Sequence, residues 1–108
     1  MYEILYTPIF RKDLKRLGKK QRSITQDVRE LAESLKENPF QGESLGQNSY
    51  KIRLRISSKN KGKSGGGRVI TCVTIVDETV HLLTMYDKSE KEDLDPNELD
   101  ELLKQIDP

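Results

Sequence analysis

The chain has 108 residues, of which 34% are charged and 33% are hydrophobic, with one cysteine and one histidine. This length is typical of a single domain with one thin core, so we expect residues 1–108 to form one domain. The longest apolar-rich run, residues 69–76, is far shorter than the roughly 18 residues that a membrane span needs. A lone cysteine excludes an internal disulfide, and the first residues lack a signal segment. We therefore expect a cytoplasmic protein with no membrane partner.

The net charge of +1 conceals a strong asymmetry along the chain. Residues 11–22 hold seven cations and one acid, and residues 51–68 hold seven cations and no acid. Residues 87–108, in contrast, hold nine acids and three lysines. Two basic stretches in so short a chain predict a polyanionic partner on one face, although a solvated surface explains the first stretch equally well.

Apolar periodicity predicts a short strand followed by a helical hairpin. Residues 2–6 favour the strand, and Thr7 and Pro8 then supply an N-cap and a first-turn proline. Apolar residues recur at helical spacing on both sides of Gly18, which is placed to end the first helix. We therefore expect two antiparallel helices within residues 8–37.

A cationic strand is the most informative feature of the sequence. In the run YKIRLRI, residues 50–56, apolar residues alternate with Lys51, Arg53 and Arg55, which places the cations on one face of a strand. Alternate residues project about 6.6 Å apart, a spacing comparable to that of phosphates on an extended nucleic-acid strand. A row of like charges costs stability unless an anion binds it, so we favour a polyanion site over a merely solvated face.

The remaining elements complete an α+β prediction. Residues 68–76 and 80–86 favour two strands joined by a turn, and Asp95 and Pro96 precede an amphipathic helical run. The order β-α-α-β-β-β-α predicts a mostly antiparallel four-stranded sheet, with an N-terminal helical hairpin and a C-terminal helix on one face. The loop KGKSGGGR, residues 61–68, lacks P-loop spacing and does not precede a helix, so we expect no nucleotide site there.

The runs YKIRLRISSKNKGKSGGGRVI (50–70) and VHLLTMYDKSEKEDLDPNE (80–98) resemble the RelE/ParE superfamily of bacterial type II toxins, and within it the HigB-like RelE branch. The resemblance implies a RelE-like fold and a toxin that enters the ribosomal A site and cuts mRNA there. It also implies two partners, which are the ribosome with its mRNA and a cognate antitoxin. We expect that antitoxin to be a small helix-turn-helix protein, through which alone the toxin reaches operator DNA.

The resemblance also implies a catalytic set. Lys51 and Arg53 match the basic active-site residues of the second strand, and Arg68 matches the arginine that opens the third. The segment after the last strand, where the family places another basic group, holds Tyr86 and Lys88. We expect Arg53 and Arg68 to hold the phosphate. Lys51 and Lys88 are candidates for the general base or acid, with Tyr86 as an alternative.

The identity of the general base is open at this point. RelE carries a catalytic tyrosine just before its final helix, where this chain has Leu94 and Asp95. No acid cluster lies near the basic strand in the sequence, which argues for RNA cleavage through its own 2′-hydroxyl, without a metal or another cofactor. A lysine can act as the base where neighbouring cations disfavour its charge.

Further cations are predicted to contact RNA or the ribosome without catalysing the reaction. They are Arg55, Lys59, Lys61, Lys63 and Lys91, with Lys15, Arg16, Lys19 and Lys20 in the first basic stretch. Two other functions stay open, namely a ParE-like gyrase poison without RNase activity and a degenerate RNA- or ribosome-binding module. We expect His81 to be a packed or hairpin-surface residue and Cys72 to be a small core residue, neither with a part in the chemistry.

Overall fold

The structure, a computed structural model, describes residues 1–59 and 66–106. Its elements in chain order are β1 (Glu3–Tyr6), α1 (Pro8–Gly18), α2 (Ile24–Glu37), β2 (Glu43–Gly46), β3 (Ser49–Leu54), β4 (Gly67–Thr74), β5 (Thr79–Asp87) and α3 (Glu98–Leu103). The strands form one sheet in the order β1-β5-β4-β3-β2. β1 runs parallel to β5, and the other neighbours are antiparallel. The α+β class and the mostly antiparallel sheet are confirmed, with five strands in place of the predicted four.

Thr7 both caps α1 and ties the helix to the sheet. Its side-chain oxygen accepts a hydrogen bond from the Phe10 N–H, and its hydroxyl donates to the Leu82 carbonyl at 2.7 Å. Pro8 follows at the first helical position, where its fixed φ suits a helix and its missing N–H costs nothing. The predicted helical hairpin is confirmed, with these apolar residues fully buried: Phe10, Leu17, Val28 and Leu35.

Strand β2 is the element that the sequence did not predict. Its four residues, ESLG, lack an alternating apolar pattern, and they adopt a strand by pairing with β3, which sets Glu43 opposite Lys51. The chain enters β2 through Gly42, whose φ is +101°. A Cβ on Gly42 would lie 2.5 Å from the Lys51 carbonyl oxygen, so only glycine allows this close approach.

The two faces of the sheet are covered differently. Helices α1 and α2 pack on one face, and their apolar residues join Val69 and Val73 of β4 in a cluster that we call the helix-face core. The alternate residues of β4, Ile70 and Cys72, belong to a second cluster with Leu102 of α3. The expectation that all helices share one face is therefore wrong for α3. β4 is almost wholly buried, so its second face also needs a covering layer.

Helix α3 begins at Glu98, and the predicted start at Asp95 and Pro96 is a turn before it. The Asp95 N–H donates to the Glu98 carboxylate at 2.8 Å, and the Glu98 N–H donates to the Asp95 carbonyl at 3.0 Å. The two bonds close the turn before α3, and only the bond from the Asp95 N–H to the Glu98 carboxylate corresponds to one half of a capping box. Across the described residues, no helix combines the length and the apolar character needed to cross a bilayer.

Candidate active site

Three adjacent strands present a row of polar side chains on the face opposite the helix-face core. The sheet register sets Arg53 of β3 opposite Arg68 of β4, and Arg68 opposite Tyr86 of β5. Directly opposed residues in an antiparallel sheet have Cβ atoms about 5 Å apart. The sheet therefore brings together three predicted catalytic residues that are up to 33 positions apart in the sequence.

A cavity of about 730 Å³ lies over this row. Its volume falls in the range of small-molecule and nucleotide sites. Its lining residues are Gly42, Glu43, Lys51, Arg53, Arg68, Lys88, Glu92 and Asp93. Four of the five predicted catalytic residues line it, and the fifth, Tyr86, is opposed to Arg68. Arg68 is itself only 5% exposed, and its guanidinium donates to the Gly67 carbonyl at 3.0 Å.

Carboxylates also line the cavity, which the sequence analysis did not expect near the basic strand. The Lys51 ammonium lies 3.4 Å from an Asp93 oxygen and 3.7 Å from a Glu43 oxygen. Both acids are mostly exposed, whereas the Lys51 side chain is 21% exposed. The charged atoms beside Lys51 are therefore carboxylate oxygens, so the condition of crowding cations that favours a lysine base does not hold for it. The fold therefore places acids beside the basic strand that are separated from it in the sequence.

Tyr86 is buried, and its hydroxyl donates to Asp93 at 3.5 Å. Burial of the phenol raises its pKa to about 12, and the negative charge of Asp93 acts in the same direction while Arg68 opposes it. At neutral pH the phenol therefore keeps its proton. This state suits Tyr86 to donate a hydrogen bond or a proton, and it argues against Tyr86 as the general base.

Arg53 and Arg55 are exposed, and Lys88 is half-buried at the cavity wall. Within residues 1–59 and 66–106, no carboxylate lies within 4 Å of the charged atoms of these three residues. The backbone fixes the position of Lys88, because its N–H donates to the Gly66 carbonyl at 3.0 Å. Arg53 thus offers its charge to a ligand in the cavity, and Lys88 lines the same cavity without an ion pair to an acid of the described residues.

Asp87, which the sequence analysis did not select, organises the two segments that flank the cavity. Both oxygens of its carboxylate accept hydrogen bonds from the Lys59 ammonium, at 2.9 and 3.0 Å. One of these oxygens also accepts hydrogen bonds from the N–H and the hydroxyl of Ser89. Burial alone would raise the pKa of Asp87, but hydrogen bonds from Ser89 and Lys59 outweigh burial and lower the pKa. An acid directly after the predicted strand 80–86 and next to Lys88 was the signal available in the sequence.

Lys59 is consequently not placed as a backbone contact for RNA. Its side chain is 14% exposed, and the ammonium faces inward onto Asp87. This ion pair fixes one end of the glycine-rich loop. Gly66 fixes the other end of the loop, because it packs so closely on β3 that a Cβ there would lie 2.5 Å from the Leu54 carbonyl oxygen. The predicted contacts Lys61 and Lys63 lie outside the described residues.

Several other predicted RNA contacts also have acidic partners. Lys91 binds Glu98 at 2.7 Å, while Glu90 is bound by Arg16 at 3.4 Å and by Lys20 at 2.7 Å. These pairs link α1 and α3 to the segment after β5. Two cations of the first basic stretch, Lys15 and Lys19, are exposed and have no acid partner among the residues that the structure covers.

His81 and Cys72 lie outside the cavity lining, as expected. His81 is half-buried, with its Nε2 3.3 Å from the Thr74 hydroxyl, and burial lowers its pKa. Cys72 is buried, and burial raises the pKa of its thiol. Among the described residues, no group of three or more histidine, cysteine or acidic side chains is arranged to hold a metal ion.

Comparison with known proteins identifies the family and the fold. Residues 7–106 match the family described as the RelE toxin of the RelE/RelB toxin–antitoxin system. The fold is similar to a solved structure of an arginine-to-alanine double mutant of the E. coli toxin RelE in the free state. That likeness has a TM-score of 0.61 at 20% identity, and it covers 84% of this chain and 87% of the other. Since the family match spans nearly the whole chain, this protein belongs to the RelE family of toxins of toxin–antitoxin systems.

Proposed function

We propose that this toxin inhibits translation by cutting mRNA on the ribosome, with the 2′-hydroxyl of the RNA as the nucleophile and without a metal ion. The observation that carries the proposal is the row of Arg53, Arg68 and Tyr86 beneath one cavity. Two arginines opposed in the sheet, with Cβ atoms about 5 Å apart, can direct both guanidinium groups at one phosphodiester, which gains charge as the 2′-oxygen attacks. Guanidinium groups suit this role because their fixed donors bind phosphate oxygens in pairs.

Proton transfer requires two further groups. Tyr86, protonated at neutral pH, is suited to donate to the departing 5′-oxygen. Lys88 lines the same cavity, and no carboxylate among the described residues holds its side chain in the charged form, so we assign its neutral amine as the base that takes the proton of the 2′-hydroxyl. Lys51 contacts the adjacent phosphate once Asp93 has moved aside. Arg55, together with the exposed Lys15 of α1 and Lys19 just after it, contacts the RNA backbone beyond the cavity.

The family membership implies an antitoxin partner, and we propose the finer assignments from the sequence. The lysine–glycine loop, residues 61–68, supports the HigB-like branch. That branch would pair this toxin with a small helix-turn-helix antitoxin, which would carry it to operator DNA. Action on ribosomes would place the free toxin in the cytoplasm.

One observation favours a second function, which is RNA or ribosome binding without cleavage. Lys51, a predicted catalytic residue, is flanked by Glu43 and Asp93, and Lys59 is held by Asp87. A binding module needs only the exposed cations, and it tolerates acids near its strand. The two functions differ in whether the RNA is cut.

The deciding experiment maps mRNA 5′ ends in a reconstituted translation reaction, with and without ribosomes. We expect cuts only when translation runs, with 2′,3′-cyclic phosphate ends, and loss of each cut when a 2′-O-methyl group is placed at its site. Arg53→Ala should lower the cleavage rate at least 100-fold, since one preorganised charge contributes about that much. Lys104→Ala is the matched control, because it removes a 70% exposed cation at the end of α3 that does not line the cavity. RNA binding without cuts would support the binding module, and DNA breaks in growing cells would support a gyrase poison.

A further inference from the structure

Strand β5 changes face midway, and this change brings Tyr86 into the site. Val80 and Leu82 point into the helix-face core, so strict alternation would send Tyr86 the same way. The register shifts between Ile70 and Thr71 of β4, which leaves Leu83 of β5 without an opposed residue. After this bulge the phase is reversed, with Met85 in the helix-face core and Tyr86 in the opposite cluster. The site therefore depends on one extra residue in β5.

The same half of β5 lacks a strand neighbour on its outer edge within the described residues. β1 ends at Tyr6, paired with Leu82, and α1 continues alongside β5 from there. Backbone groups of an uncovered strand edge need another partner. Asp13 of α1 supplies one, since its Oδ2 accepts the Met85 N–H at 3.1 Å and the Thr84 hydroxyl.

Asp13 is distinguished by its surroundings as well as by its contacts. It is the single acid in the basic stretch 11–22, and its side chain is only 17% exposed. Its other oxygen lies 3.8 Å from Arg16, a contact too long to explain why the carboxylate points toward the sheet. The two residues that it holds, Thr84 and Met85, lie between the unopposed Leu83 and Tyr86. The contact therefore lies next to the bulge, where the alternation of the β5 side chains between the two faces of the sheet reverses.

We propose that Asp13 is a positioning residue, which holds β5 in the shifted phase that turns Tyr86 toward Arg68 and the cavity. This inference rests on the proposed function for its effect on RNA cleavage. Its structural part, the orientation of Tyr86, can be tested without any substrate.

The test follows the Tyr86 phenol by NMR in protein labelled at the tyrosine Cζ, with Tyr86→Phe used to assign the signal. In the unmodified chain the Tyr86 signal should titrate with a pKa of about 12. In Asp13→Ala the phenol loses its fixed place, so its pKa should fall toward the ordinary value of 10. Asp13→Asn keeps one oxygen acceptor and should move the signal less. The matched control is Glu30→Gln on α2, an exposed acid whose partner is Gln26, and it should leave the signal unchanged.

Thr84→Val removes one of the two donors without changing the shape of the side chain, and it keeps the test valid if Asp13→Ala fails to fold. We expect Thr84→Val to move the Tyr86 signal in the same direction as Asp13→Asn. In the cleavage assay the Asp13 variants should lower kcat by about 10- to 100-fold with little change in KM, because the acid is misplaced and the phosphate contacts are kept.

The outcomes separate the two claims. An unchanged Tyr86 titration in both Asp13→Asn and Thr84→Val would overturn the positioning role, whatever the cleavage rates. A changed titration in a protein whose parent chain never cuts RNA would support the positioning role and reject the proposed function. A changed titration with an unchanged kcat would support the positioning role and overturn the assignment of Tyr86 as the acid of the reaction.

Discussion

The two faces of the sheet differ in what they contribute to the protein. The helix-face core is continuous and apolar, with residues of α1, α2 and the strands β3, β4 and β5 buried together and β1 packed against them. The opposite face has an apolar part under the six-residue helix α3 and a charged part around the cavity. Because packing on one face of the sheet supplies most of the free energy of folding, the other face can hold like charges side by side. The electrostatic cost of placing Arg53 beside Arg68 is thus borne by packing on the other side of the same strands.

The largest expected effect comes from the helix-face core. Phe10 is fully buried there and lies edge-on to Tyr6, with ring centroids 5.4 Å apart. Phe10→Ala should lower the free energy of unfolding by about 3–5 kcal/mol, because it leaves a cavity that the sheet cannot fill. Leu102→Ala on α3 should cost about 2 kcal/mol, since the half-buried neighbours of a short helix can move inward. Urea denaturation followed by circular dichroism measures both, and equal losses would contradict the proposed division between the faces.

The buried ion pair of Lys59 and Asp87 should give the next largest effect. Asp87→Ala leaves the Lys59 ammonium buried without its partner, which should cost about 3 kcal/mol. The double variant Asp87→Asn with Lys59→Met should recover most of that loss, because neither charge is then buried alone. Failure of the double variant to recover stability would show that the Ser89 contacts of Asp87, and not the ion pair, carry the effect.

The pH dependence of the same pair has a definite sign. The folded pKa of Asp87 lies below its ordinary value of 3.8, so the unfolded chain binds the proton more readily. Its contribution to stability is therefore complete above that value, and it is lost as the pH falls through the lowered pKa. Unfolding free energies measured from pH 6 to pH 2 should fall less steeply in Asp87→Asn than in the parent chain. Parallel pH profiles would contradict this assignment.

A substitution at Arg53, in contrast, should weaken RNA binding and leave the free energy of unfolding almost unchanged. Arg53→Ala removes an exposed cation beside Arg68, so the free energy of unfolding should stay within about 0.5 kcal/mol of the parent value. Binding to a short single-stranded RNA should weaken about tenfold, and the salt dependence should lose about 0.7 in slope, as expected for one phosphate contact. Fluorescence anisotropy across a salt series measures both quantities. An unchanged slope would mean that Arg53 does not touch a phosphate.

Local patterns predicted the fold well where a single element decides its own structure. The helical hairpin followed from apolar spacing and from the cap at Thr7, and the cationic face of β3 followed from strict alternation. Strand β2 was missed because ESLG has no pattern of its own and depends on pairing with β3 and on the close approach at Gly42. α3 was placed on the wrong face because alternation cannot say which layer covers a strand that is apolar on both sides.

The candidate site was predictable only in part, for a related reason. The cations were visible as a row, but their partners came from distant segments. Asp93 reaches Lys51 across 42 positions, and Asp13 reaches Thr84 across 71. The bulge that turns Tyr86 cannot be read from its own strand, since VHLLTMY contains no glycine or other signal at the unopposed Leu83. Periodicity and charge along the sequence therefore do not predict which distant acid contacts a given residue.

The smallest expected effect tests the acids at the cavity. Asp93 places a negative charge 3.4 Å from Lys51, where an RNA phosphate would otherwise bind. Asp93→Asn should therefore tighten RNA binding about two- to fivefold, because an exposed pair of this kind is worth up to about 1 kcal/mol. Glu101→Gln, which removes an exposed acid on α3 paired with Lys104, is the matched control and should leave the affinity unchanged.

A double-mutant cycle locates the source of that gain. If Asp93 acts by occupying the Lys51 ammonium, the gain from Asp93→Asn should disappear in a Lys51→Met background. A gain of the same size in both backgrounds would mean that Asp93 acts through the general field of the acidic C-terminal part of the chain. In that case Glu92→Gln, the neighbouring acid on the cavity wall, should give the same gain as Asp93→Asn, and the contact with Lys51 would have no special role.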